Sequence, residues 1–142
     1  MLRVRYLLNF KDRNTWSIEP EEPVLEAIQL MADKHIGALP VMRGEELVGI
    51  VSERDYARKV ILLGRSSSDT PVWQIMTSPV TTVSPEEAVH RCMEIMTEQR
   101  IRHLPVVEKG KLIGIISIGD LVKAVIEEQQ QTIDQLERYI SG

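Results

Sequence analysis

Residues 101–120 read IRHLPVVEKGKLIGIISIGD, and their pattern decides the fold. Two short apolar, β-branched runs, 104–107 and 112–116, flank Glu108-Lys-Gly-Lys111, a spacing that fits a β-hairpin. The cationic pair Arg102-His103 enters the first run, and Ser117-Ile-Gly-Asp120 closes the second. Sliding the chain by 65 residues lays the same design over an earlier stretch. Ile36-Gly-Ala-Leu-Pro-Val41 falls on Ile101-Arg-His-Leu-Pro-Val106, and Leu47-Val-Gly-Ile-Val-Ser-Glu-Arg-Asp55 on Leu112-Ile-Gly-Ile-Ile-Ser-Ile-Gly-Asp120. From 18 to 61 the overlay needs no gap, and 16 of 44 positions are identical. Two copies of one unit therefore make up most of the chain.

Each copy carries the same local signals. Val24, Ala27, Ile28 and Met31 recur at i, i+3, i+4 and i+7, as do Val89, Cys92, Met93 and Met96, and each set predicts the buried face of an amphipathic helix. Ser84-Pro-Glu-Glu87 reads as a capping box that starts the second of these helices. The runs 39–42 and 47–51, joined by Arg43-Gly-Glu-Glu46, predict a hairpin in the first copy. Ser52 and Ser117 sit where each hairpin hands over to a further helix, as N-caps. The unit is strand, helix, strand, strand, helix: a small sheet with flanking helices. One such unit leaves an apolar face uncovered, so the two should pack about a pseudo-two-fold axis in an α/β (α+β) architecture.

Bulk properties narrow the function. The 142 residues are 43% hydrophobic and 27% charged, with a formal net charge of −4 and no basic stripe, which speaks against nucleic acid as a partner. No apolar run approaches the roughly 20 residues of a membrane span, and the N-terminus turns charged too soon for a signal peptide. The single cysteine, Cys92, fits a reducing compartment, so the expected location is the cytoplasm. There is no Walker A loop, no G-x-S-x-G and no evident nucleophile–base pair. His35 and His90 have no second ligand at metal-site spacing. No catalytic residue and no metal site are expected.

The duplicated unit resembles a pair of CBS domains (the cystathionine β-synthase type), which together form a Bateman module. The resemblance covers about residues 14 to 127. It rests on Gly49-Ile-Val-Ser52-Glu-Arg-Asp55 and Gly114-Ile-Ile-Ser117-Ile-Gly-Asp120, each preceded by Leu-Pro-Val and an amphipathic helix. It implies an adenine nucleotide (AMP, ADP, ATP, or a related compound such as NAD or S-adenosylmethionine) held as a regulatory ligand in the cleft between repeats. The aspartate would grip the ribose and the serine would assist. The chemistry is compatible. An ionised carboxylate is acceptor-only and suits a vicinal diol, a helix start stabilises phosphate, and glycine lets backbone approach a ligand. Ser-x-x-Asp at a helix start is equally a capping arrangement, and the glycines equally permit close strand packing. The two readings compete for the aspartates.

Carried over residue by residue, the resemblance places a nucleotide ribose on Ser52 and Asp55. Ile50, Val80 and Thr81 would line its base pocket, and Arg102 and His103, from the other repeat, would face its phosphate. Adjacent strand residues point oppositely, so both can converge only if the strand has not begun at Arg102. Lys11 and Arg54 are further candidates. The symmetry-related site would use Ser117, Asp120 and Ile115, with Trp16 beside it, but Gly37 and Ala38 stand at its phosphate positions. The Asp55 site is thus the one expected to hold a phosphorylated ligand.

The expected organisation is an N-terminal lead-in (1–13), CBS repeat 1 (14–64), a connection (65–78), CBS repeat 2 (79–127) and a C-terminal helical extension (128–142). Within the connection, residues 72–76 predict a helical turn. Val122, Ile126, Ile133, Leu136 and Ile140 follow a/d heptad spacing and are expected to cover the lead-in or a second subunit. The expected protein is a stand-alone regulatory module, a homodimer by resemblance, that signals to an unidentified effector protein and is not an enzyme. The alternatives are a ligand-free dimerisation scaffold and a nucleotide-hydrolysing enzyme.

Overall fold

Backbone amides and carbonyls of each repeat find partners first within a two-stranded hairpin. In the computed structural model, which describes residues 1–10 and 15–141, strand β1 (Ala38–Arg43) pairs antiparallel with β2 (Glu46–Ser52). Strand β3 (His103–Glu108) pairs with β4 (Lys111–Ser117) in matching register, and each ladder carries a bulge after the fourth residue of its first strand, between Val41 and Met42 and between Val106 and Val107. Lys109 and Gly110 both take positive φ, 53° and 77°, as the tight turn of a type I′ hairpin requires. The strand expected to open each repeat is reduced to one parallel bridge, Ile18 to Val41 and Val83 to Val106.

Helices complete the two layers. Repeat 1 and the segment before it hold α1 (Val4–Leu8), α2 (Val24–Lys34) and α3 (Glu53–Tyr56), the last continuing as a π-helical turn over Ala57–Ile61. A 3₁₀ turn spans Val72–Gln74, α4 runs over Val89–Gln99, and α5 over Ile118–Ser141. The expected faces are buried: Val24, Ala27 and Met31 in one core, Val89, Cys92 and Met96 in the other, with Ile28 and Met93 packed at their edges. Both α2 and α4 end in a non-glycine residue in the left-handed region, His35 and Arg100.

The two cores are completed crosswise. Val4 and Leu7 of α1, at the N-terminus, are buried in the core of repeat 2, whereas Val72 and Ile75 of the connection are buried in the core of repeat 1. The hydrogen bonds repeat this pattern. The Val4 and Arg5 amides donate to the Glu87 and Pro85 carbonyls, and the Val72 and Trp73 amides donate to those of Glu22 and Pro20. Arg5 adds ion pairs with Glu86, at 2.5 Å, and with Glu108, and these carboxylates hold its guanidinium above the ordinary arginine pKa.

Two expectations are corrected. Ser84-Pro-Glu-Glu87 does not cap α4, which begins at Val89 with Ala88 as its N-cap. It forms a turn whose carbonyls are taken by α1, so a non-local contact overrides the local signal. Of the two covers expected for the C-terminal stripe, the lead-in meets only its first turns. Helix α5 is continuous through residue 127, buries only Leu121 and Ala124, and leaves Ile126 and Leu136 59% and 56% exposed. Its first turns touch α1, and the rest extends beyond the repeats.

Candidate functional site

Strand β2 ends at Ser52, and the chain turns there into α3 through reciprocal bonds. The Asp55 amide donates to Ser52 Oγ at 3.1 Å, while the Ser52 amide and hydroxyl both donate to Asp55 Oδ2 at 3.0 Å. The same box recurs in repeat 2, where the Asp120 amide donates to Ser117 Oγ at 3.2 Å and the Ser117 amide to Asp120 Oδ2 at 2.8 Å. The capping arrangement is therefore present at both aspartates. It does not exclude a ligand at Asp55, because capping uses Oδ2 and the other oxygen is directed elsewhere, toward Lys59 Nζ at 3.4 Å.

A cleft of about 440 Å³ opens beside that helix start, between the repeats, within the range of small-molecule sites. Of the residues named from sequence, Ile50, Ser52, Arg54, Asp55, Val80, Thr81, Arg102 and His103 all line it. Strand β3 begins at His103, so Arg102 lies outside the strand and the alternation of side chains does not force the pair apart. Both border the same space. Ile50, Val80 and Pro105 supply apolar wall, and Thr77 is held there by two backbone hydrogen bonds with Ile50, of 2.8 and 3.1 Å.

The other candidates lie elsewhere. Trp16, Ile115, Ser117 and Asp120 do not line this cleft, and Lys11 falls outside the described residues. Trp16 stacks under the Lys34 ammonium, 4.1 Å from the ring centroid. Its counterpart 65 residues on, Thr81, donates to Gln99 Oε1 at 2.7 Å. The glycines are also explained without a ligand. A Cβ on Gly49 would meet Met76 Sδ at 2.4 Å, and one on Gly114 would meet Leu8 Cδ2 at 2.9 Å. Each glycine admits the crosswise segment.

Three cations of the cleft were missed: Arg58, Lys59 and Arg100. Arg58 and Lys59 follow Asp55 at i+3 and i+4, so the sequence did place them on one face with it. Arg100 is the left-handed C-cap of α4, and its carbonyl accepts from Arg54 Nη1 at 2.8 Å, a bond that joins the repeats across the cleft. With Arg54 and Arg102, five permanent cations face two carboxylates, Glu53 and Asp55. The site is electropositive in a chain of net charge −4. Among the described residues, no group of three or more His, Cys, Asp or Glu side chains is placed to hold a metal ion.

Comparison with known proteins gives the class. The CBS-domain family matches residues 10–62 and 72–127, and the chain belongs to that family as a CBS-pair regulatory module. A protein with CBS domains from Burkholderia ambifaria is 52% identical, with a TM-score of 0.86 over 89% of this chain and 96% of that one. The mitochondrial CBS domain-containing protein CBSX3 of Arabidopsis thaliana is 45% identical over 127 residues, and the chain spans 62% of its length. CBSX2, solved in complex with AMP, is 25% identical with a TM-score of 0.74, covering 89% of this chain and 98% of that one. No helix among the described residues is long and apolar enough to cross a membrane.

Proposed function

We propose that the chain is a sensor that binds an adenine nucleotide in the Asp55 cleft and reports its presence to an effector protein, without catalysis of its own. One observation carries the reading. A single space between the repeats gathers a helix start with Ser52 and Asp55, an apolar slot at Ile50 and Val80, and Arg102 contributed by the other repeat. The carboxylate suits a ribose diol, the slot suits a base, and the guanidinium suits phosphate oxygens. AMP in the CBSX2 complex supports the ligand class. AMP, ADP, ATP and NAD share the base and ribose, and the cationic wall favours the more highly phosphorylated of them.

A ligand that touches Asp55 of one repeat and Arg102 of the other favours one relative placement of the two, and a partner that reads that placement is controlled by linkage. The sensor acts in the cytoplasm as a homodimer. Calorimetric titration with AMP, ADP and ATP tests the site: Asp55→Ala should weaken binding at least about tenfold, the worth of a lost charge-assisted hydrogen bond, and Asp120→Ala far less. Equal losses would remove the preference for the Asp55 cleft. No binding and no thermal shift with any adenosine compound would favour a ligand-free scaffold.

A further inference from the structure

We propose that Lys59 makes the Asp55 cleft select phosphorylated nucleosides over the bare nucleoside, by occupying the ribose acceptor until an anion draws it away. The inference rests on reading the cleft as a nucleotide site and assigns its selectivity to one residue. Both bonds that Ser52 makes to Asp55 end on Oδ2, which commits that oxygen to the cap. Oδ1 is what remains for a ribose hydroxyl, and it faces Lys59 Nζ at 3.4 Å. The Asp55 side chain is only 16% exposed, so water competes little for it.

Lys59 is held there from a second side. Its ammonium also donates to the Ile75 carbonyl at 2.9 Å, a group on the segment that plugs the core of repeat 1. Lys59 lies within the π-helical turn over Ala57–Ile61, a distortion that recurs at functional sites. A neutral diol entering the cleft must take Oδ1 from an ammonium and offers that ammonium no anion in return, so an ion pair is exchanged for bonds in which only the acceptor is charged. A phosphate compensates. It gives the released Lys59 a new anionic acceptor beside Arg58 and Arg102, which border the same space. The lysine is not repeated: the position 65 residues on is Ala124, buried in the other core.

The test is the ratio of dissociation constants for adenosine and ADP, measured by calorimetry on the full chain and on Lys59→Met and Lys59→Gln. The methionine keeps the aliphatic stem, and the glutamine keeps a donor for the Ile75 carbonyl, so thermal unfolding of the two separates a folding defect from a binding effect. Adenosine should bind about two- to fivefold more tightly to both variants, the scale of a partly exposed ion pair. ADP should bind about tenfold more weakly, for loss of a charge-assisted hydrogen bond. Where adenosine binding to the wild type is too weak to resolve, the lower limit on its dissociation constant serves. A ratio unchanged or widened in the variants, with the wild type binding ADP, overturns this inference alone. Failure of the wild type to bind either compound overturns it together with the nucleotide reading.

Discussion

Gly49→Ala and Gly114→Ala occupy equivalent strand positions and should have unequal consequences. Gly49 does not take positive φ, so alanine is permitted by the backbone and the cost is steric. Its Cβ would lie 2.4 and 2.9 Å from Met76 Sδ and Cγ and 3.2 Å from the Thr77 carbonyl oxygen. The methionine can swing aside, but the carbonyl is fixed by its pairing with Ile50. Overpacking of this kind costs about 1–3 kcal/mol, and replacing a strand glycine returns about 0.5–1 kcal/mol of chain entropy. The net is a destabilisation of about 1–2 kcal/mol, or a fall in Tm of about 3–8 °C for a domain of this size. Among the described residues, the Cβ at Gly114 meets only the terminal Leu8 Cδ2, at 2.9 Å, so steric cost and entropic gain should nearly cancel. Thermal and urea unfolding followed by circular dichroism measure both. Because Ile50 and Thr77 border the cleft, Gly49→Ala should also weaken ADP binding, and Gly114→Ala should leave it unchanged. A larger destabilisation at Gly114 than at Gly49 would refute the packing assigned to the two crosswise segments.

Two further outcomes follow from particular side chains. His35 is exposed and ends α2 with φ 55°, where a non-glycine residue is strained by roughly 1–2 kcal/mol, so His35→Gly should raise Tm by a few degrees on scanning calorimetry. The Cys92 thiol is fully buried, and burial, helped by Glu87, pushes its pKa up to about 11 from an ordinary value of 9.0. The folded state therefore holds its proton more tightly than the unfolded state, and stability falls as pH rises from about 9 to about 11. Cys92→Ala should flatten that part of the urea-midpoint profile relative to the wild type, and an identical slope in both would count against the buried thiol.

What could be read in the sequence is what is local. The hairpin turns, the faces of α2 and α4, and the Ser52 and Ser117 caps all depend on residues within a few positions of one another, and they fold as their spacing indicates. Much of the cleft's lining was anticipated on a different ground: the family resemblance assigns residues of both repeats to one cleft, and Arg102 and Asp55 do border the same space. The start of α4 was misread because the partners of the Pro85 and Glu87 carbonyls lie some eighty positions upstream along the extended register of the chain, on Val4 and Arg5. The crosswise segments escaped the internal alignment because they follow a different offset. Leu8 and Met76, which cover Gly114 and Gly49, are 68 residues apart and not 65. Arg58 and Lys59 were on the expected face, but the bond from the Lys59 ammonium to the Ile75 carbonyl joins residues 16 positions apart, which local spacing does not show.

The crossing of α1 and the connection sets an order of events as the chain leaves the ribosome, since synthesis runs from the N-terminus. The first half carries its own stopper: once Ile75 has emerged, every member of that apolar cluster is present and it can close. The second half has the reverse problem. Its stopper, Val4 and Leu7, is made before the rest of that core and must wait, unsatisfied, until Leu121 and Ala124 arrive. A nascent chain halted between those points would be half finished and half sticky, with one greasy helix in want of a home.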